Sequence, residues 1–422
     1  MTEQSTNPAE ETREQRSEVR KVVGVISFAH GVSHFFHLIL APLFPWLKVA
    51  FDLSYAELGL LMSVFFIVSG SGQALAGFVV DRVGAVPILL GTLGLFVLAS
   101  LLLAIAPGYP MLLVGAALAG LGNAPFHPVD YSIINARVPV KRLGRAYAMH
   151  GVAGSLGWGT APVFLVGLTT LTGSWRVAMV GAAALAASAL ITVWFNRDRL
   201  ATPVAHKAAA ASAVPVPGTE SATAFLRLPA VWLSFAFFLT FAMALGGVQS
   251  FAAKAASDLH NVPLTLVGVC LSAYMFATAA GMFVGGYLIS DPQRAERMIG
   301  AGFGIAAVVA IAVALLPPLG KSIPVFFAIM GFAAGLATPS RDMLVKRAAP
   351  PGATGRVYGV VYSGLDIGMS VSPAVFGILM DHGHPSMVWL GIALFQGLLI
   401  VNAFRAGART RVRGPQPGAV GT

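Results

Sequence analysis

Twelve long apolar stretches run through the chain, each ended by charged residues, proline or glycine. A helix crossing the roughly 30 Å hydrocarbon core of a bilayer needs about 20 apolar residues. The stretches are therefore read as membrane-spanning helices at 22–47, 55–80, 86–106, 109–136, 146–171, 175–196, 229–252, 264–290, 297–317, 322–346, 357–380 and 385–404. Three polar segments remain: a leader at 1–21, a linker at 197–228 and a tail at 405–422. The linker carries His206, Lys207, an alanine-rich run and Pro215-Val216-Pro217-Gly218, a composition that favours flexible chain. It divides the protein into two six-helix bundles, 22–196 and 229–404.

An internal repeat supports that division. Gly59, Gly72 and Gly77 recur as Gly268, Gly281 and Gly286, a constant shift of 209 residues. Ala119 to Pro125 matches Ala334 to Pro339. Gly144-Arg145-Ala146-Tyr147 with Pro162 matches Gly355-Arg356-Val357-Tyr358 with Pro373. The expected fold is thus an all-α membrane protein of twelve spans in two parallel halves, an architecture whose halves rock about a site near mid-membrane.

Composition agrees with burial in lipid. The 422 residues are 56% hydrophobic and only 10% charged, with a mean hydropathy of +0.78, which excludes a water-soluble surface. The net charge of +10 does not point to nucleic acid, because topology accounts for it. Under this segmentation 23 of the 27 Lys and Arg fall on one side and only Lys48, Arg176, Lys254 and Lys321 on the other. Basic residues mark the cytoplasmic face, so both termini and the linker are expected there. A lone cysteine, Cys270, excludes an internal disulfide and a thiolate metal cage. No catalytic triad or phosphate loop is present, so neither an enzyme nor a cofactor is expected.

Ionisable groups at membrane depth are costly and mark function. Asp366 lies ten residues past Arg356, about 15 Å along a helix. It is the first candidate for proton coupling; a structural hydrogen bond is the other reading. His30, His34 and His37 share one helix face, with three readings open: proton or substrate contact, packing hydrogen bonds, or a metal pair. The metal pair has no obvious third ligand in sequence, and no metal site is assigned. The fourth span holds Asn123-Ala124-Pro125-Phe126-His127-Pro128-Val129-Asp130. Two prolines three apart remove backbone donors, so this helix must bend or unwind, either as a substrate site or as a plain kink. Asn123 and His127 are read as substrate contacts, and Asp130 as a proton relay. Arg341, beside Asp342, is either a contact for an anionic substrate or half of an interfacial pair. Tyr362 joins the substrate candidates, whereas Phe65, Phe66, Phe276 and Trp158 are read as core or lipid-facing.

Gly77, Asp81, Arg82 and Gly84 close the second span in a pattern that can latch two bundles together. Arg145, Gly154, Gly157 and Pro162 in the fifth span complete the gating candidates. Its glycines Gly151, Gly154, Gly157 and Gly159 offer a smooth face for close helix approach, equally a packing surface.

Taken together, the Asp81-Arg82 loop, the linker and the repeated halves resemble the major facilitator superfamily over nearly the whole chain. Within it the chain is similar to the fosmidomycin-resistance efflux group, through Ile26 to Pro45 and through Gly120 to Pro128 on to Gly144-Arg145, Gly154, Gly157 and Pro162. His34 stands where that group carries an acidic residue. The resemblance implies a proton-coupled antiporter that exports a small polar or amphiphilic drug or metabolite across the bacterial inner (cytoplasmic) membrane, and a monomer is expected. Protons, the substrate and the lipid bilayer are then its partners. Uptake of an organic anion by proton symport is the alternative, and a non-transporting scaffold or sensor stands behind both.

Overall fold

The structure, a computed structural model, describes residues 13–202, 227–288, 295–348 and 354–412. Twelve helices long and apolar enough to cross a membrane follow one another, and no strand occurs among the described residues. Their order matches the apolar stretches. Span 2 is Tyr55–Val83, span 5 Val140–Thr172, span 8 Leu264–Leu288, span 10 Ile323–Ala348 and span 11 Thr354–Asp381. Span 12, Pro385–Val412, stays helical into the segment read as a tail, and 203–226 of the linker lies outside the described residues.

Three spans are discontinuous. Span 1 runs Arg13–His37, leaves the helix at 38–40, turns through Ala41–Leu43 and resumes as Phe44–Phe51. Span 4 is Tyr109–Asn123 followed by Phe126–Arg137. Span 7 runs Pro229–Gly247, widens into a π-helical stretch at Val248–Ala252 and ends as Ala253–His260. Moved by the 209-residue repeat, the break at 38–43 falls on 247–252. Equivalent positions of the two halves therefore both depart from α-helix.

The repeat also extends to backbone contacts. Gly120 of span 4 lies against the Phe65 carbonyl of span 2, and Gly331 of span 10 lies against the Tyr274 carbonyl of span 8. Phe65 and Tyr274 are 209 residues apart. Lipid tails give helices no hydrophobic reason to associate, so close van der Waals approach between backbones must hold them, and only glycine allows it at these points.

The halves meet along two seams, span 2 with span 11 and span 5 with span 8. Gly59 abuts the Pro373 carbonyl, Gly377 the Tyr55 carbonyl and Gly268 the Pro162 carbonyl, while Gly159 faces the Phe276 ring. All of these lie in the middle or at the end of the bundle remote from Arg13 and Val412, called the far end below. Toward the terminal end, a side-chain carbon on Gly77 or Gly151 would meet no described neighbour within 4 Å, and Met149 and Val152 are exposed. Among the described residues, the close contacts between the two halves lie in the middle and at the far end.

One polar clasp strengthens the far-end seam. The carboxylate of Asp381, at the end of span 11, accepts hydrogen bonds from the backbone N–H groups of Tyr55 and Ala56 at 2.6 and 2.8 Å. These are the first residues of span 2, where free N–H groups and the helix dipole favour an anion. Ser54 and Glu57 cap the same helix reciprocally, and Lys48 lies 4.3 Å over the Tyr55 ring. Asp381→Ala is expected to leave the fold intact and to open the far-end seam roughly tenfold more often, the worth of one well-placed anion at a helix start. Faster maleimide labelling of a Ser250→Cys probe, buried where spans 1, 5, 7 and 8 meet between the halves, checks this against the buried native Cys270.

Candidate functional site

Proline chemistry builds the site. Pro125 has no N–H to continue the first part of span 4, so the helix stops after Asn123 and restarts at Phe126. Pro128 then falls in the first turn of the new helix, where a missing donor costs little. The restart aims His127 and Asp130 at span 1, whose own helix ends at His37. Span 5 supplies the third wall. Gly157 lies against the Gly31 carbonyl, and a side-chain carbon on Gly154 would come within 2.7 Å of the His34 ring. The glycines of span 5 thus bring span 1 close within one half, while Pro162 reaches across to Gly268 of the other.

At the centre Asp130 has no exposed surface. Its Oδ2 accepts from Nδ1 of His30 and from Nε2 of His150, each at 2.9 Å. The two imidazoles stack with ring centres 3.5 Å apart. His34 follows, its ring centre 4.4 Å from His30 and 4.9 Å from His37, with the Trp158 ring at 4.3 Å. His127 lies 5.5 Å from His30. A second polar group adjoins the first. Asn123 Oδ1 accepts from Ser33 Oγ at 2.7 Å and pairs with His37 Nε2 at 3.0 Å, and its amide donates to Ser69 of span 2 at 2.8 Å. Trp158 Nε1 donates to His37 Nδ1 at 3.2 Å.

Four buried polar atoms here have no hydrogen-bond partner among the described residues: Oδ1 of Asp130, both ring nitrogens of His34 and Nδ1 of His127. Buried polar groups are nearly always paired, so unpaired ones gathered in one place mark a site shaped for an occupant. On the side facing the terminal end, half-exposed Tyr131 stacks on His127 and lies 5.8 Å from His150.

The fold gathers His30, His34, His37, Asn123, His127 and Asp130 in the N-terminal half. Asp366 stands apart, at the seam between spans 11 and 2. A side-chain carbon on Gly70 would fall 2.8 Å from its Cβ, and among the described residues nothing donates to its carboxylate. Gly70 follows Ser69, so the Asn123 network and Asp366 approach adjacent residues of span 2. Arg82 and Arg145 are exposed near the terminal end, and Gly84 (φ 95°) makes the one-residue turn between span 2 and Ala85–Ala104. The side chains of Asp81, Arg341 and Tyr362 lie outside the described residues.

His150 escaped the sequence reading. The test that singled out Asp366, an ionisable group within an apolar stretch, applies to it equally. The ligand-capable trio also differs from the pair considered in sequence: the third partner of His30 is on other spans, not one turn along its own.

Comparison with known proteins settles the family. The Major Facilitator Superfamily profile matches residues 26–373 and 243–420. The chain belongs to that superfamily. It is a membrane transporter rather than an enzyme. It is 26% identical over 374 residues to the fosmidomycin resistance protein of Escherichia coli (strain K12), covering 87% of this chain and 88% of the other. A probable nitrate/nitrite transporter of Mycobacterium tuberculosis is 26% identical over 341 residues, covering 78% and 81%. Among solved structures, a bacterial homologue of the human lysosomal transporter Spinster, inward-facing and unoccupied, superposes with a TM-score of 0.73 at 17% identity, covering 96% of this chain and all of that one. The nucleoside transporter NupG, in a mutant form, gives 0.72 at 16%, covering 93% and 99%.

The shared carboxylate makes a direct prediction. Asp130→Asn and His150→Gln each lower thermal stability, and the double variant loses less than the sum by about 1–2 kcal/mol, because both remove the same buried hydrogen bond. Unfolding midpoints of the four proteins check this; simple additivity would show that the two side chains do not interact.

Proposed function

We propose that this transporter exports a small polar or amphiphilic compound from a bacterial cytoplasm in exchange for protons, by alternating access. The observation that carries the reading is the cluster around Asp130. It is a buried cluster of unpaired polar atoms beside two broken helices, in a bundle whose described contacts between the halves lie in the middle and at the far end. Broken helices with polar groups near mid-membrane are where transporters hold substrate.

The strong bias of Lys and Arg toward the terminal end argues that this end is cytoplasmic, which makes the present shape inward-facing. Substrate then enters past Tyr131 and meets His127, His34 and His30, with Asn123 and His37 deeper on the same wall. Asp366 is the proton carrier. Its seam between spans 2 and 11 is a surface that alternating access must remake, so its neighbours change in each cycle as coupling requires. Membrane potential of 100 mV contributes about 2.3 kcal/mol per charge, roughly a fifty-fold concentration ratio for one proton per neutral substrate. Arg82 and Arg145, exposed toward the terminal end, are placed to latch that end once the far end opens. Similarity to the fosmidomycin resistance protein favours export. Similarity to a nitrate/nitrite transporter, with several imidazoles available to an anion, is the observation favouring uptake by symport.

Proteoliposomes with an imposed pH gradient test the reading, with fosmidomycin as the first substrate. Wild-type protein is expected to accumulate substrate against its gradient, and Asp366→Asn to lose gradient-driven accumulation at least tenfold while still exchanging substrate. Unchanged, proton-driven accumulation by Asp366→Asn would remove the carboxyl from the mechanism. A wild-type protein indifferent to the pH gradient would remove proton coupling altogether.

A further inference from the structure

The chemistry at the centre of the cluster is more specific than a generally polar pocket requires. His30 Nδ1, His150 Nε2 and Asp130 Oδ2 lie within 4.8 Å of one another, all three residues buried. Two imidazoles and one carboxylate are the donor set of three-ligand sites for divalent zinc and its neighbours, with the fourth position left open. We propose that His30, Asp130 and His150 form a binding site for a divalent first-row transition metal ion. The proposal rests on the reading of the cluster as a ligand pocket, though not on the direction of transport or on Asp366.

Geometry is close to what such an ion needs. In a tetrahedral shell with bonds of about 2.0–2.1 Å, neighbouring ligand atoms are about 3.3 Å apart. Both imidazole nitrogens are 2.9 Å from Asp130 Oδ2, so an ion would replace the two N–H···O hydrogen bonds: each ring carries its proton on the other nitrogen or releases it to solvent, and each contact lengthens by about 0.4 Å.

Unpaired atoms separate this reading from a purely structural hydrogen-bonded trio. A structural trio at zero exposure should use both carboxylate oxygens. Here one oxygen accepts twice and Oδ1 has no partner, and both nitrogens of His34, one turn along from His30, are unpaired as well. An ion held by Asp130 can also take Oδ1, the atom of the trio that the protein itself leaves unused.

Donor types narrow the ion. One carboxylate cannot satisfy magnesium or calcium, which demand a shell of oxygens, and the site offers no sulfur to copper(I), since Cys270 belongs to the other half. Zinc, cobalt, nickel and copper(II) suit two imidazoles with a carboxylate. Tyr131, exposed and stacked on His127, marks the approach from the terminal end.

Purified full-length protein in detergent, titrated with cobalt(II) chloride and separately with zinc chloride, tests the site without substrate or gradient. Expected are one ion per chain, the strong visible bands of four- or five-coordinate cobalt, and a thermal midpoint about 5 °C higher at a hundredfold excess over Kd. His150→Gln and Asp130→Asn should each weaken binding at least about 100-fold. A His382→Ala/His384→Ala variant, which removes two exposed loop histidines, should bind as wild type. Should the histidine and aspartate variants fail to fold, X-ray absorption on zinc-loaded wild-type protein decides, since imidazole scattering supports the site and an all-oxygen shell overturns it. Cobalt spectra of water-only octahedral form, binding unaffected by His150→Gln, or binding lost with His382 and His384 would each overturn the proposal. A negative result here leaves export and proton coupling standing, and inactive proteoliposomes leave metal binding standing.

Discussion

Asp130 is a carboxylate with no access to solvent inside a helical bundle in lipid, and the N-terminal half is organised around keeping it there. Removing such a group from water costs several kcal/mol unless donors compensate, and two imidazoles converge on a single oxygen to do so. Those donors come from spans 1 and 5, which must approach closely enough for their rings to stack. That approach depends on Gly154 and Gly157 carrying no side chain where His34 and the Gly31 carbonyl lie. The same requirement explains the break in span 4. An unbroken helix through Pro125 would place His127 and Asp130 at different angles, and the carbonyls freed there are tolerable only because protein surrounds them.

The scaffold is repeated but the chemistry is not. Backbone contacts of Gly120 on Phe65 and Gly331 on Tyr274 recur in the two halves, as do the departures from α-helix in spans 1 and 7. The imidazoles do not recur. Positions 239, 243 and 246, the repeat equivalents of His30, His34 and His37, hold leucine, methionine and glycine. The cluster of imidazoles thus belongs to one half alone. The two halves are joined by seams of glycine against backbone carbonyl that hold only while the surfaces match. Asp366, in the C-terminal half, sits on a seam.

Much of this was legible in the sequence, for identifiable reasons. Spans are visible because hydrocarbon thickness sets a minimum apolar length, and the break in span 4 because Pro125 lacks a donor. His30, His34 and His37 share a face by helical period alone. The period says nothing about which other span that face meets, so the convergence on Asp130 could not be read. Asp366 was correctly placed within a span, but its neighbour Gly70 lies nearly 300 residues away in the chain, and no local pattern pairs them. His150 is different. It lies within the span expected at 146–171, where any ionisable group marks function by its depth alone.

The clasp between Asp381 and the start of span 2 has a genetic consequence. Its receiving side consists of main-chain amides, which every amino acid except proline supplies. Sequence drift at Tyr55 and Ala56 therefore leaves the receptor in place, and the far-end lock can be retuned from one codon on the opposite half.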